Sequence, residues 1–565
     1  MADVYDRLFM MCKRRGIVYP AFEIYGGTAG LFDFGPLGAE IKRNIQNLWR
    51  SFYVLREGCA EIECPAITPF EVLKASGHVD EFTDLLVKCQ TCGSSFRADH
   101  LVEESGYEGA ADALDAVAID GEIAARGIRC PECKSELGGA TPMNLMFSTE
   151  IGPGSGRRGF LRPETAQGIF TNFGNLYRFF REKMPFGCVQ LGRGYRNEIS
   201  PRQGMLRMRE FGMMEAEIFV DPLEKTHPRF CEVKNEMITL VPASTGRETG
   251  MTLGEAVSKG VIVNEALAYF MNFTKEFLFA AGIKEGLLRF RQHLPTEMAH
   301  YANDCWDAEI HSERFGWVEC VGIADRSAYD VEAHMKSSGC DLSAMRRYDE
   351  PREIVRKRII PDMKKMGPLF KGDAAKVKAT LDGMDGEGVC GDVELDIDGK
   401  KYLVPSDSYR VEKVTEKTIG ERFVPHVIEP SYGLDRIFYM IMEHAFEEGE
   451  KEGEPYTVTH LKPSIAPIKA GVFPLVSKDG LPELAFKIDR TLRSFGIQTC
   501  YDESGTIGRR YARMDEVGTP YCITIDHKSL EDGTVTVRER DTTGQERVKI
   551  EELPSFFSKN ALGFF

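Results

Sequence analysis

Three observations predict an α+β fold around an antiparallel sheet, followed by a smaller α/β domain. First, 565 residues exceed what one hydrophobic core serves, so several domains are expected. Second, the N-terminal part is rich in strand-like runs with few helices between them, at 186–193, 215–220, 317–323 and 426–430, the pattern of an antiparallel sheet with flanking helices. Third, after a charged, Pro- and Thr-rich seam at 447–463, elements alternate in type. Strands are expected at 470–475, 497–501, 521–525 and 534–539, and helices at 482–495 and 507–517, which predicts a small, mainly parallel sheet. Leu434, Ile437, Phe438, Ile441, Met442 and Ala445 fall on one helical stripe directly after the 426–430 strand. The expected organisation is a large domain over 1–455, interrupted at about 84–140, 224–305 and 330–425, and a second domain over 461–565. The 330–425 stretch reads as an acidic, Gly-rich insertion with weak periodicity.

Composition narrows the function classes. With 42 % apolar and 28 % charged residues, the chain has the make-up of a soluble globular protein. Its most apolar segment, 265–283, is interrupted by Asn272, Lys275 and Glu276, which speaks against a membrane span. The N-terminus has no apolar h-region and carries Asp3 and Asp6, against a targeting peptide. A net charge of −16 excludes nucleic-acid binding through bulk positive charge but leaves room for a local basic groove. Fifteen cysteines, an odd number and mostly scattered, suit a reducing cytoplasm better than a disulfide framework.

Three features carry chemistry, and a fourth motif does not. In 192–217, GRGYRNEISPRQGMLRMREFGMMEAE, Arg193, Arg196, Arg202, Arg207 and Arg209 crowd into 17 residues, with Glu198 among them, Glu210 directly after, and Phe211 closing the run. Two strands joined by a loop would set Arg196 and Phe211 over one cleft, with guanidinium forks for phosphate oxygens and an aromatic face for a base. The competing reading is a solvated, salt-bridged hairpin. In 429–436, EPSYGLDR, a strand turns into a helix whose first turn carries Arg436, a place suited to an anion. Cys89-x-x-Cys92 and Cys130-x-x-Cys133 form two knuckles, followed by Gly93 and Lys134, and offer four thiolates for one structural zinc; a helical excursion over 99–126 would fill the gap. A formal G-x-G-x-x-G at Gly154, Gly156 and Gly159 is flanked by Pro153 and Pro163 and reads as a loop, not a dinucleotide site.

The second and third signature motifs of class II aminoacyl-tRNA synthetases resemble these two Arg-bearing segments. The likeness extends to glycyl-tRNA synthetases of the α2 type through CKRRGIVYPAFEIYGGTAGLFDFGPLGAEIKRNIQNLW (12–49), FRADHL (96–101), NLMFSTEIGPG (144–154), RPETAQGIFTNF (162–173), WVECVGIADRSAYD (317–330) and GRRYARMDEVGTPYCITID in the last domain. It implies a class II catalytic domain, an anticodon-binding domain of class IIa type, a cytoplasmic homodimer, and ATP with Mg²⁺ as cosubstrate. By resemblance, Arg196 binds the α-phosphate, Glu198 accepts from the adenine amino group, Phe211 stacks on adenine and Arg436 holds the γ-phosphate. Asn197, Leu206, Arg207, Met208, Arg209, Glu210, Cys320 and Gly433 lie in the family's ATP-contacting segments, with Glu319 acting through Mg²⁺. Glycine is expected among Glu164, Glu215, Glu429 and Ser431, with Arg97, Phe211 and Gly433 nearby. Carboxylates suit the ammonium, an Arg suits the carboxylate, and a rigid wall excludes a larger side chain. Arg509, Arg510 and Arg513 on one short helix are the tRNA-binding candidates. The alternatives left open are another class IIa synthetase and a catalytically inactive, RNA-binding relative.

Overall fold

The computed structural model describes residues 3–561 except 110, 112, 113, 202, 296, 298–301, 385, 398 and 452. It contains two compact units, one formed by Met1–Leu342 with Val424–Phe565 and the other by Ser343–Phe423.

The larger unit is organised by a nine-stranded sheet. Its strands are β1 (Ala60–Glu61), β2 (Phe186–Tyr195), β3 (Glu210–Val220), β4 (Met237–Val241), β5 (Thr249–Thr252), β6 (Leu288–Gln292), β7 (Asp304–Ser312), β8 (Gly316–Ser327) and β9 (His426–Gly433). They lie in the order β5-β4-β6-β7-β8-β9-β3-β2-β1. All pairings are antiparallel except β4 with β6 and β2 with β1.

Side chains alternate between the faces of a strand, and here the alternation separates a core from a site. Val189, Met214, Ala216, Ile218, Trp306, Ala308, Val321, Ile323, Ile428 and Tyr432 are buried in the main core. Helices α1 (Pro36–Arg50), α2 (Glu265–Ala281) and α3 (Leu434–Ala445) pack their apolar residues into that core. Proline suits the first helical position of α1, where no N–H is needed. The hydroxyls of Tyr53, Tyr432 and Thr274 form a buried chain at 2.8 and 2.7 Å, which satisfies polar atoms that would otherwise be costly. On the opposite face, Gln190, Glu215, Ser431, Gly322 and Asp307 fall in one register row across five strands.

Two expected boundaries change. The 224–305 stretch is no peripheral insertion: it supplies β4, β5 and β6 and the core helix α2. The apolar 265–283 segment is that buried helix, and no helix among the described residues is long and apolar enough to cross a membrane. The 447–463 seam is largely a hairpin, Phe446–Lys451 paired with Glu454–Thr459. The 84–140 stretch has its own small core around Val87, Phe96, Leu101 and Ile119. Its excursion forms two helices, Ala98–Glu104 and Ala116–Ala125.

The last domain holds β10 (Ala470–Pro474), α4 (Leu481–Ser494), β11 (Thr499–Tyr501), α5 (Ile507–Glu516), β12 (Tyr521–Ile525), β13 (Thr534–Glu539) and β14 (Gln545–Lys549). Its sheet order is β11-β10-β12-β13-β14. The expected mainly parallel sheet is mixed: β10 runs parallel to β11 and β12, whereas β12, β13 and β14 pair antiparallel. The connections into and out of β13 are too short for a crossover.

The unit Ser343–Phe423 is narrower than expected. It is a long hairpin, Ala344–Pro361 with Tyr409–Phe423, joined to a short hairpin and two helices over Ile359, Met366, Val377, Leu381, Leu395 and Val404. Residues 330–342 belong to the larger unit, where Asp330, Val331 and His334 are buried. Nor is the insertion acidic: over 330–425 the 19 Asp and Glu are offset by 18 Lys and Arg, and 344–361 carries Arg346, Arg347, Arg352, Arg356, Lys357 and Arg358 against Asp349, Glu350 and Glu353.

Candidate active site

The site lies within the larger unit, on the polar face of the nine-stranded sheet. One cleft is lined by Arg196, Glu198, Leu206, Arg207, Met208, Phe211, Glu319, Cys320, Ser431, Gly433 and Arg436. The Arg196 guanidinium sits 5.3 Å from the rings of both Phe82 and Phe211, within cation–π reach. Its Nε donates to the Pro163 carbonyl at 3.4 Å, which leaves the rest of the fork facing the cleft. Glu198 is buried, and its Oε2 has no hydrogen-bond partner among the described residues, although Arg207 Nε stands 3.8 Å away. An acceptor in that state calls for a donor.

Arg436 is fixed by backbone: Nε donates to the Leu206 carbonyl at 3.1 Å and Nη1 to the Glu319 carbonyl at 2.7 Å. Its ion pair with the Glu319 carboxylate measures 3.2 Å. Partial burial works to raise the Glu319 carboxyl, but Arg436 beside it holds it below the usual range. The register of β7 on β8 slips between Ala308 and Glu309, so that Cys320 is passed over and Glu319 joins Gly322 on the site face. Bulges re-aim side chains in this way. Burial pushes the Cys320 thiol up to about 12, so it is no nucleophile.

The other arginines of the motif part company. Arg207 donates to His100 Nε2 at 3.1 Å. Arg209 is occupied by the carbonyls of Glu198 and Ala29 and holds the loop. Arg193 pairs with Glu210 at the surface, where the salt-bridge reading is correct. Asn197 joins the loop to Leu145 through its backbone N–H. Arg202 lies outside the described residues.

Beside this cleft stands a ring of buried carboxyls. Glu215 accepts from Thr165 N at 2.6 Å, from Thr165 Oγ1 and from Ser431 Oγ at 2.8 Å. Glu164 accepts from Gln167 Nε2 at 2.9 Å and faces His78 Nε2 at 3.4 Å. Burial alone would raise the Glu164 carboxyl; His78 and Arg326 together hold it well below the usual range. Glu429 accepts from Arg326 Nη1 at 2.6 Å, and Arg326 Nε donates to Asp330 at 2.8 Å. Burial, with Glu215 and Glu164 nearby, raises the Glu429 carboxyl to about 7 despite Arg326. Arg97 does not join this ring. It is held by Asp84 and Asp99 and stands toward Glu198.

The sequence reading missed Arg326, Gln167, Asp330 and Asp435. Asp435 accepts from Gly212 N at 2.6 Å and pairs with Lys42 of α1, tying three motifs together. A buried charge immediately beside a motif residue was the available signal.

The four knuckle sulfurs lie within 4.8 Å of one another, with Cys89–Cys133 at 3.4 Å and Cys92–Cys130 at 3.6 Å. A zinc tetrahedron with ~2.3 Å bonds has edges of about 3.8 Å. Gly93 and Lys134, directly after each second Cys, both have positive φ. Matching N–H bonds run from Gly93 to the Cys89 carbonyl and from Lys134 to the Cys130 carbonyl. The two knuckles thus share one turn geometry.

In the last domain the three arginines separate. Arg510 is buried and bonds the carbonyls of Pro474, Glu503 and Gly505, a structural role. Arg513 pairs with Asp502, and Arg509 is exposed.

Comparison with known proteins bears on the fold and the family. Residues 149–242 match the class II tRNA synthetase core domain (G, H, P, S and T), and 469–560 match the anticodon binding domain. Among solved structures, the RNA binding domain of threonyl-tRNA synthetase from Cryptosporidium parvum superposes with TM-score 0.53 at 15 % identity, covering 98 % of each chain. A prolyl-tRNA synthetase from Giardia lamblia gives 0.52 at 13 %, covering 98 % of this chain and 74 % of that one; these show the fold. The glycine–tRNA ligase of Archaeoglobus fulgidus is 48 % identical over 98 % of this chain and 96 % of its own. That of Methanocaldococcus jannaschii is 49 % identical over 99 % of both. With likeness at that level from end to end, the chain belongs to the glycine–tRNA ligase family.

Proposed function

We propose that the cleft and the carboxyl ring form one site, in which glycine reacts with ATP to give glycyl-adenylate and pyrophosphate, and from which the glycyl group passes to the 3′ end of tRNA(Gly). The observation that carries this reading is their adjacency: a guanidinium–aromatic cleft for a nucleotide opens beside fixed buried carboxylates suited to a small ammonium. Phe211 stacks on adenine, the unpartnered Glu198 Oε2 accepts from its amino group, and Arg436 holds the distal phosphate. Arg196 draws the glycine carboxylate and the α-phosphate together and offsets the charge that builds as the carboxylate oxygen attacks phosphorus. Such chemistry rests on positioning and electrostatics. Glu319 would hold Mg²⁺, which neutralises phosphate charge when bound. Glycine-dependent ATP–pyrophosphate exchange, with alanine and serine as controls, tests the reading: exchange with glycine alone supports it, and exchange with another amino acid overturns the pocket assignment.

The raised Glu429 carboxyl gives a signed pH dependence. A protonated Glu429 attracts ammonium less, so the KM for glycine falls by about tenfold from pH 6 to pH 8. In Glu429→Gln the KM is higher and flat across that range.

The four thiolates would hold one structural zinc, since four protein sulfurs fill a tetrahedral coordination and leave no open position for a substrate. Purified protein is expected to carry one zinc per chain by elemental analysis. Cys130→Ser is expected to lose it and to lower the melting temperature, because metal binding contributes directly to folding. The tRNA contact of the last domain falls to Arg509, with Arg510 and Arg513 shaping its helix. The homodimer rests on family likeness. Fifteen free cysteines favour a reducing, cytoplasmic setting.

A further inference from the structure

Two residues beyond Glu215 on β3, Glu217 points to the same face of the sheet, and its side chain is 0 % exposed. Both carboxyl oxygens are buried without a hydrogen-bond partner among the described residues. Glu215 next to it has three donors; Glu217 has none. A carboxylate anion in that position would give up its hydration and receive no hydrogen bond in exchange.

The register places Glu217 across from Glu429. Glu215 pairs with Ser431 and Ile218 with Ile428, so the intervening pair is Glu217 with Glu429. The ladder is interrupted there because Pro430 has no N–H. On its other side Glu217 pairs with Cys188. The titratable and charged groups facing it are Glu215 on its own strand, Glu429 on β9, Arg326 on β8, Asp330 on the Tyr329–Ser338 helix and the Cys188 thiol on β2. Arg326 already binds Asp330 and Glu429.

We propose that Glu217 is a neutral carboxylic acid that donates a hydrogen bond to Glu429 and so positions the Glu429 carboxylate for the ammonium of glycine. The inference rests on Glu429 being a glycine ligand. A protonated Glu217 supplies the donor this pair lacks, as in other carboxyl pairs that share a proton. Burial and the neighbouring Glu429 push the Glu217 carboxyl well above the usual range, in the same direction. A neutral Glu217 adds no further negative charge to a site where Glu164, Glu215, Glu429 and Asp330 already face Arg162 and Arg326. Glu217 is a positioning residue, since it reaches glycine only through Glu429.

Glutamine mimics a protonated glutamate, so Glu217→Gln separates the neutral acid from the anion. Glycine-dependent exchange is compared for the wild type, Glu217→Gln, Glu217→Ala and Glu429→Gln, with thermal melts of each. Glu217→Gln is expected to keep its glycine KM within about threefold of wild type. Glu217→Ala is expected to raise it about 10- to 100-fold, the range of one hydrogen bond to a charged group, with ATP KM unchanged. At pH 8, where Glu429 is mostly ionised, the infrared band of a protonated carboxyl, present in wild type, is expected to lose intensity in Glu217→Gln. A Glu217→Gln KM as high as that of Glu217→Ala, no change in either variant, or no such loss of band intensity overturns the proposal. A glycine KM untouched in Glu429→Gln instead overturns the pocket reading beneath it.

Discussion

Arg196→Ala lowers the kcat/KM of glycine-dependent ATP–pyrophosphate exchange by about 10²–10³-fold, the effect of removing one charge-stabilising donor from a preorganised site. The expectation follows from how little else Arg196 does. It makes no salt bridge among the described residues, and its one hydrogen bond, to the Pro163 carbonyl, is long at 3.4 Å. Phe82 and Phe211 flank it at 5.3 Å, so the planar cation is held by ring faces. Truncation leaves no buried charge unpaired, and the melting temperature should stay within a few degrees of wild type. Arg196→Lys keeps the charge but loses the fork and the stacking, and most of the activity loss should persist. Arg209→Ala should do the opposite, because Arg209 holds the carbonyls of Glu198 and Ala29: lower stability first, lower activity as a consequence. A variant pair measured by melting and by exchange tells the two roles apart.

Much of this site was legible because period-two alternation and residue chemistry act locally. Arg196 and Phe211 flank the loop between β2 and β3, so placing both over one cleft needed only two strands and a turn. The Cys-x-x-Cys pairs were legible for the same reason, since each knuckle closes within a few residues. Global arrangement was less readable. The 224–305 stretch looked like an insertion because β4, β5 and β6 are short, and their membership of the nine-stranded sheet depends on partners remote in sequence. A salt bridge such as Lys42–Asp435 joins residues far apart in the chain and leaves no local trace. Arg510 illustrates the limit of charge counting: beside Arg509 it looks like RNA-binding charge, yet the loop at Glu503 and Gly505 folds its carbonyls around the guanidinium. Conversely, 447–463 read as a seam because it is charged and then rich in Pro and Thr, although backbone pairing makes most of it a hairpin.

Glu215→Ala is expected to lower kcat/KM for glycine by about 10²–10³-fold while leaving the KM for ATP unchanged, judged from the loss of a charged acceptor beside the ammonium. Glu215 is 1 % exposed and is the common acceptor of Thr165 N, Thr165 Oγ1 and Ser431 Oγ. Those bonds fix the carboxylate on the row that also contains Gly322. Removing it frees three donors and opens space beside Glu164, so stability should fall by roughly 1–3 kcal/mol. The same space relaxes selection. Glycine offers no side chain to grip, and a rigid wall is what rejects a methyl group; with Ala at 215, exchange driven by alanine should rise relative to that driven by glycine. Ser431→Ala provides the graded comparison. It removes one of three donors and leaves both Thr165 bonds in place, so the carboxylate stays where it is. Its loss in kcat/KM should be about tenfold, with discrimination against alanine preserved. Equal losses in Ser431→Ala and Glu215→Ala would show that the hydroxyl, and not the carboxylate, meets the substrate.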